Sequence, residues 1–247
     1  MIYDMFNLTS EECVELAKRN IVDCIYSSAR IEGIAVTFPD TQQIYEGRTV
    51  ANMSIDDVNK INNLKHAWQF VFDTIEYPLD LLYLRQLSKI VNTALMSDAG
   101  NIREYDVSIG GTDWKPDIPD TDAIKEDLQS LMRISCSTER AIKMMLYVMR
   151  TQMFSDGNKR VAQLAANQIL IQNGKGFLRI PENKDREFLN LLVKYYESND
   201  DKEIAQFIFD TSICGKKLVK VQDQEPINEE MFKKAIHKRS KQGNPKA

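Results

Sequence analysis

Gln152-Met153-Phe154-Ser155-Asp156-Gly157-Asn158-Lys159-Arg160 is a polar turn set between two of the most apolar stretches of the chain. Upstream, Thr138 to Thr151 is apolar around most of a helical circumference, through Ala141, Ile142, Met144, Met145, Leu146, Val148 and Met149. Downstream, Val161, Ala162, Leu164, Ala165, Ala166, Ile169 and Leu170 repeat the pattern. A helix that is apolar all round belongs inside a domain. The sequence therefore predicts a buried helix, a polar loop and a second buried helix, and a polar loop inside a core needs a reason.

Further helices flank this pair. Thr9-Ser10-Glu11-Glu12 has the form of a capping box, and behind it Cys13, Leu16, Ala17, Ile21, Cys24 and Ile25 share one helical face. This first helix is expected to run to about Ile31 and stop at Gly33. Phe38-Pro39-Asp40-Thr41 turns into a short helix ending near Gly47, and Ser54-Ile55-Asp56-Asp57 caps the next. Helical patterns follow over 81–95, 121–132, 182–198 and 201–213. Between Gly100 and Pro119 the composition changes to glycines, prolines and β-formers, with Val107-Ser108-Ile109 before Gly110-Gly111 and Thr112 and Trp114 after. A short β-hairpin or flap is expected there. Beyond Gln222 the chain turns polar and then basic (Lys233, Lys234, Lys238, Arg239, Lys241), which predicts a helix with a frayed tail.

The fold class is mainly α, a helical bundle around a central helix-loop-helix with a small β-hairpin. Three regions are expected: 1–50, 51–215 and 216–247. A net charge of −4 offers no whole-chain basic field for nucleic acid or anionic lipid. The four cysteines show no Cys-x-x-Cys spacing and suit buried positions in a reducing compartment. The start of the chain lacks a basic segment of the secretory kind, and no apolar run is long enough to span a bilayer. A cytoplasmic location is the expectation. Two histidines, His66 and His237, leave little material for histidine-rich metal sites or His-dependent triads.

In the polar loop, Gly157 lets backbone N–H groups approach a ligand, and the loop opens a helix whose N-terminus favours anions. Lys159 and Arg160 add positive charge where the helix dipole disfavours it, which makes sense if a phosphate lies between them and the helix end. Asp156 beside a phosphate makes sense if a divalent cation bridges the two. An ordinary Asp-Gly-Asn turn with solvated basic residues would have the same sequence. The G-x-x-x-x-G-K-[ST] phosphate loop is absent.

The segment from Gln152 to Arg160 resembles the signature of the Fic (Fido) family, roughly H-x-F-x-[DE]-G-N-[GK]-R. It matches at Phe154, Asp156, Gly157, Asn158, Lys159 and Arg160. The layout from Ser54 to Leu170 is similar to a Fido core, and Ile109-Gly110-Gly111-Thr112 with Pro116 resembles its target-docking flap. The resemblance implies that Phe154 anchors the loop in the core and that Asp156 holds Mg2+ on the phosphates of ATP. Gly157, Asn158, Lys159 and Arg160 would form an anion hole. The flap would pair by its backbone edge with an extended segment of a target protein. The family reaction moves AMP from ATP to a protein hydroxyl.

Three positions depart from the pattern. Gln152 stands where the family has the histidine that takes the proton from the attacking hydroxyl. A glutamine amide orients but does not titrate near neutral pH. Gln163 stands where many members carry a second arginine. Lys159 in place of glycine resembles the death-on-curing toxin branch, which transfers a phosphate. Ser28-Ala29-Arg30-Ile31-Glu32-Gly33 matches the family's inhibitory motif, [ST]-x-x-x-E-[GN], with Ser28 and Glu32 four apart on one side of a helix. The resemblance implies that Glu32 blocks the phosphate site; with the arginine at 163 missing, either it pairs with Arg160 or Lys159 instead or the brake is vestigial. The expected function is ATP–Mg2+ binding with weak or altered AMP transfer. The alternatives are a catalytically silent regulator and a phosphotransferase.

Overall fold

Side-chain caps set half of the α-helix starts among the described residues. Thr9 and Glu12 form a full capping box on α1 (Ser10–Arg19), and Thr37 with Asp40 does the same for α3 (Phe38–Tyr45). Ser54 caps α4 (Ile55–Asp73), Asp80 caps α5 (Leu81–Val91) and Asp120 caps α6 (Thr121–Met132). The computed structural model describes residues 1–215; the expected C-terminal helix and basic tail, 216–247, and His237 lie outside them.

The central pair is α7 (Ser137–Thr151) and α8 (Asn158–Gln172), which make the most extensive contact between any two elements. Every residue from Arg160 to Ile171 is buried. Because α8 is enclosed all round, its polar residues find partners inside: Asn167 bonds both backbone groups of Leu178, and Gln168 donates to the carbonyls of Ile75 and Tyr77. Around α8 pack α1, α4, α5, α7 and α2 (Ile21–Ile31). After α8 the chain forms β1 (Phe177–Leu178), a 3₁₀ turn at Glu182–Lys184, α9 (Asp185–Ser198), α10 (Lys202–Ser212) and β2 (Ile213–Cys214). The two strands pair antiparallel, Phe177 with Cys214 and Leu178 with Ile213.

Two expectations need correction. The first helix is two helices, broken at Asn20, whose side-chain amide donates to the Leu16 carbonyl at 2.8 Å. The stretch from Gly100 to Pro119 contains a turn at Gly110-Gly111 but no strands, so the expected hairpin is an irregular flap. Two isolated strands are marginal unless something packs or pairs beside them. In the expected region 1–50, Cys13, Ala17, Ile25, Ala29 and Ile44 join the same core as α8. No helix among the described residues is long and apolar enough to cross a membrane.

Candidate functional site

The loop between α7 and α8 is built from the inside. Gln152 ends α7 in the left-handed region, at φ +47°. That turn sends Met153 and Phe154 into the core, both fully buried. The Asn158 side chain then closes the loop, accepting from the Phe154 N–H at 3.0 Å and donating to the Phe154 carbonyl at 2.8 Å and to Gln152 Oε1 at 3.0 Å. Gln152 Nε2 donates to the Met149 carbonyl at 2.6 Å. Both ends of the Gln152 amide are thus held within the loop.

Gly157 precedes α8 at φ +75°, and no side chain caps the helix behind it. The first-turn N–H groups are therefore left for a ligand, at the positive end of the helix dipole. The Asn158 side chain serves the loop rather than an anion, so its contribution to an anion hole reduces to its backbone N–H.

Arg160 has no exposed surface. It donates to the Val91 carbonyl at 2.8 Å, to Asn92 Oδ1 at 3.3 Å and to Asp156 Oδ2 at 2.9 Å, and its Nε lies 3.4 Å from Glu32 Oε1. Lys159 Nζ donates to the Ile31 carbonyl at 3.0 Å and lies 3.9 Å from Glu32 Oε2. The Glu32 carboxylate is 11% exposed, and its Oε2 has no hydrogen-bond partner. Two cations of the loop therefore face the C-terminal end of α2, where Gly33, at φ +83°, turns the chain away. Ser28, one turn earlier, donates to Gln163 Oε1 at 3.1 Å, so a neutral hydrogen bond stands where the resemblance leads us to expect a second arginine.

The flap completes the enclosure. Residues Val107 to Gly111 line a cleft of about 720 Å³ together with Glu32, the loop from Ser155 to Lys159, and the α9 face carrying Leu189, Val193 and Tyr196. That volume lies within the range of small-molecule and cofactor sites. Among the described residues, no backbone group from Val107 to Gly111 pairs with another backbone segment, which leaves an open edge. A second cleft, of about 660 Å³, lies behind the flap between Trp114 and α6 and contains none of the motif residues.

Tyr196 is buried, and burial pushes its phenol far up, so it holds its proton at neutral pH. His66 is exposed on α4 and does not line the cleft. No group of three or more His, Cys, Asp or Glu side chains placed to hold a metal ion occurs among the described residues. Asp156 does suit a cation delivered with a nucleotide. Arg160 engages one of its oxygens and leaves Oδ1, and Mg2+ commonly binds one carboxylate plus phosphates and water.

Several residues at the site carried no local sequence signal. Asn92 donates to the Asp156 carbonyl at 3.0 Å while accepting from Arg160. Arg103, also buried, donates to the carbonyls of Gln152, Tyr105 and Asp117, and its backbone N–H donates to Met153. It fastens both legs of the flap to the loop. The α9 wall was equally unmarked, because its apolar face looks like any core-facing face.

Residues 78–170 match the Fic/DOC family. No curated protein matches the sequence. Among solved structures, Fic-1 from C. elegans is similar at a TM-score of 0.69 with 19% identity, over 80% of this chain and 62% of that one. A Fic domain containing signaling protein from Bacteroides thetaiotaomicron follows at 0.66 and 19%, over 83% and 87%. A Fic family protein from Desulfovibrio desulfuricans gives 0.63 and 16%, over 79% and 63%. These likenesses establish a shared helical fold. This chain spans only 62% of the C. elegans structure.

Proposed function

We propose that the protein, whose residues 78–170 match the Fic/DOC family, is a cytoplasmic, Glu32-restrained ATP–Mg2+ binder related to protein adenylyltransferases. The observation that carries this reading is the meeting of three stretches far apart in sequence around one cleft. They are Ile31-Glu32-Gly33, Val107 to Gly111, and Gln152 to Lys159. The uncapped first turn of α8 would take the phosphates, with Lys159 and Arg160 supplying positive charge. Asp156 would hold Mg2+, which neutralises phosphate charge when bound. The flap edge would take an extended segment of a target protein.

In the present arrangement the Ile31 carbonyl and the Glu32 carboxylate stand in for phosphate oxygens on Lys159 and Arg160. ATP must displace Glu32 to reach them. Gln152 can hold a hydroxyl in place but cannot remove its proton, and losing a positioned base costs about 10²–10⁴ in rate. The closed hydrogen bonding of the Gln152 amide favours a second reading, a silent regulator that binds nucleotide and partner without transfer.

The test is transfer of label from α-³²P-ATP to proteins of a cell extract, with γ-³²P-ATP in parallel. The native chain, Glu32→Gly and Glu32→Gly/Gln152→His are compared. Weak α-label transfer that rises about 10²–10⁴-fold with histidine supports the transferase lineage. Transfer confined to the histidine form points to the regulator. Transfer of the γ-label alone identifies a phosphotransferase. Absence of ATP binding by Glu32→Gly at millimolar concentration would sink the proposal.

A further inference from the structure

Helix α2 is held from two sides. On one side Ser28 and Glu32 meet α8; on the other, the helix is fastened to the segment that leads into α9. Ser27 Oγ donates to the Ile180 carbonyl at 2.9 Å and accepts from the Ile180 N–H at 3.0 Å. Arg30 grips Asp185, the first residue of α9, through two hydrogen bonds of 2.6 and 3.1 Å, and stacks over the Tyr26 ring. Both charged groups of this pair are largely buried. A bidentate guanidinium–carboxylate pair fixes orientation as well as distance.

The far end of α9 holds the flap. Thr112 Oγ1 donates to Glu197 Oε1 at 2.8 Å, and the Trp114 ring stacks on Tyr196 with centroids 5.6 Å apart. Arg150 backs this stack, lying over Trp114 and donating to the Tyr196 carbonyl. Between the two attachments run the 14 residues of α9, a rod about 20 Å long at 1.5 Å per residue. One face of that rod is the wall of the cleft.

We infer that α9 couples the brake to the flap: α2 cannot swing Glu32 off Arg160 without breaking the Arg30–Asp185 clasp or moving α9, and α9 carries the flap. Nucleotide entry and target docking on the flap therefore assist each other, each by the same factor. The inference rests on the reading of Glu32 as a brake on ATP binding. It goes further by assigning Asp185 and Glu197 to that brake although neither lines the cleft.

The experiment measures Mg–ATP affinity by calorimetry for the native chain, Glu32→Gly, Asp185→Asn and Glu197→Ala, and for the last two combined with Glu32→Gly. Acrylamide quenching of tryptophan is read on the same samples. Trp68 is 2% exposed, so of the two tryptophans the quenched one is Trp114 on the flap. Asp185→Asn is expected to raise affinity about fivefold or more, the lower end of usual coupling. It should also make Trp114 more quenchable although the change lies at the opposite end of α9. Glu197→Ala should raise affinity likewise; it removes an exposed carboxylate from a helix C-terminus, where the dipole disfavours it, so the fold is retained. Neither change should add to Glu32→Gly.

Unchanged Trp114 quenching in Asp185→Asn overturns the coupling, as do gains in affinity that persist in full without Glu32. If Glu32→Gly raises affinity and the α9 variants do not, the brake stands and the coupling falls. If Glu32→Gly leaves affinity unchanged, the brake reading itself fails. Quenching still judges the mechanical link in that case.

Discussion

Gly157 is the residue on which the loop turns. An added Cβ would lie 3.0 Å from Asn92 Oδ1 and 3.1 Å from Arg160 Nη2, on a backbone that L side chains rarely adopt. Gly157→Ala is expected to cost about 1–2 kcal/mol from the left-handed conformation alone, seen as a lower urea midpoint at unchanged slope. It should also weaken Mg–ATP binding in the Glu32→Gly form by pushing Asn92 off the Asp156 carbonyl. The Asp-Gly-Asn-Lys-Arg order announced this turn. Nothing announced Asn92 or Arg103, because a buried Arg in a glycine-rich stretch and an Asn at a helix end look like solvated residues until their partners are known.

At the scale of elements, helix ends were legible and helix continuity was less so. Capping boxes at Thr9 and Thr37 and the caps at Ser54 and Asp120 act within three residues, so the sequence contains both partners. The break at Asn20 depends on a side chain choosing the Leu16 carbonyl over solvent. One cap comes from a distance: Asp4 accepts from both the N–H and the hydroxyl of Thr138 at 2.8 Å, at the start of α7. Burial opposes ionisation of Asp4, but the Thr138 donors prevail and hold its carboxyl below the usual 3.8. A folded value below the unfolded one contributes stability above the unfolded value, which is lost as pH falls through the folded one. Asp4→Asn should therefore lower the melting temperature relative to the native chain at pH 6, with a difference that shrinks below about pH 4. A difference constant with pH would show that the charge of Asp4 contributes nothing.

At the scale of the molecule, the proposed function has Glu32 and ATP compete for one set of cations, so ligand and brake should appear together in stability. A ligand that binds only the folded state at a hundredfold excess over its Kd stabilises by about 2.7 kcal/mol, or roughly 5–10 °C for a chain of this size. Mg–ATP at millimolar concentration is expected to raise the melting temperature of Glu32→Gly by that order and of the native chain by less, in a thermal scan. Equal shifts would mean that Glu32 does not oppose nucleotide. The sequence by itself determined most of the helices, the buried central pair and the polar loop between them, because capping, periodicity and turn chemistry act over a few residues; the motifs at 28–33 and 109–112 were legible only through the family resemblance. Only the tertiary structure decided that Glu32 meets Arg160 and Lys159, that Gln163 meets Ser28, that Arg103 straps the flap and that α9 walls the cleft. Those partners lie far apart along the chain, and what brings them together is the packing of whole helices around α8, which no local pattern encodes.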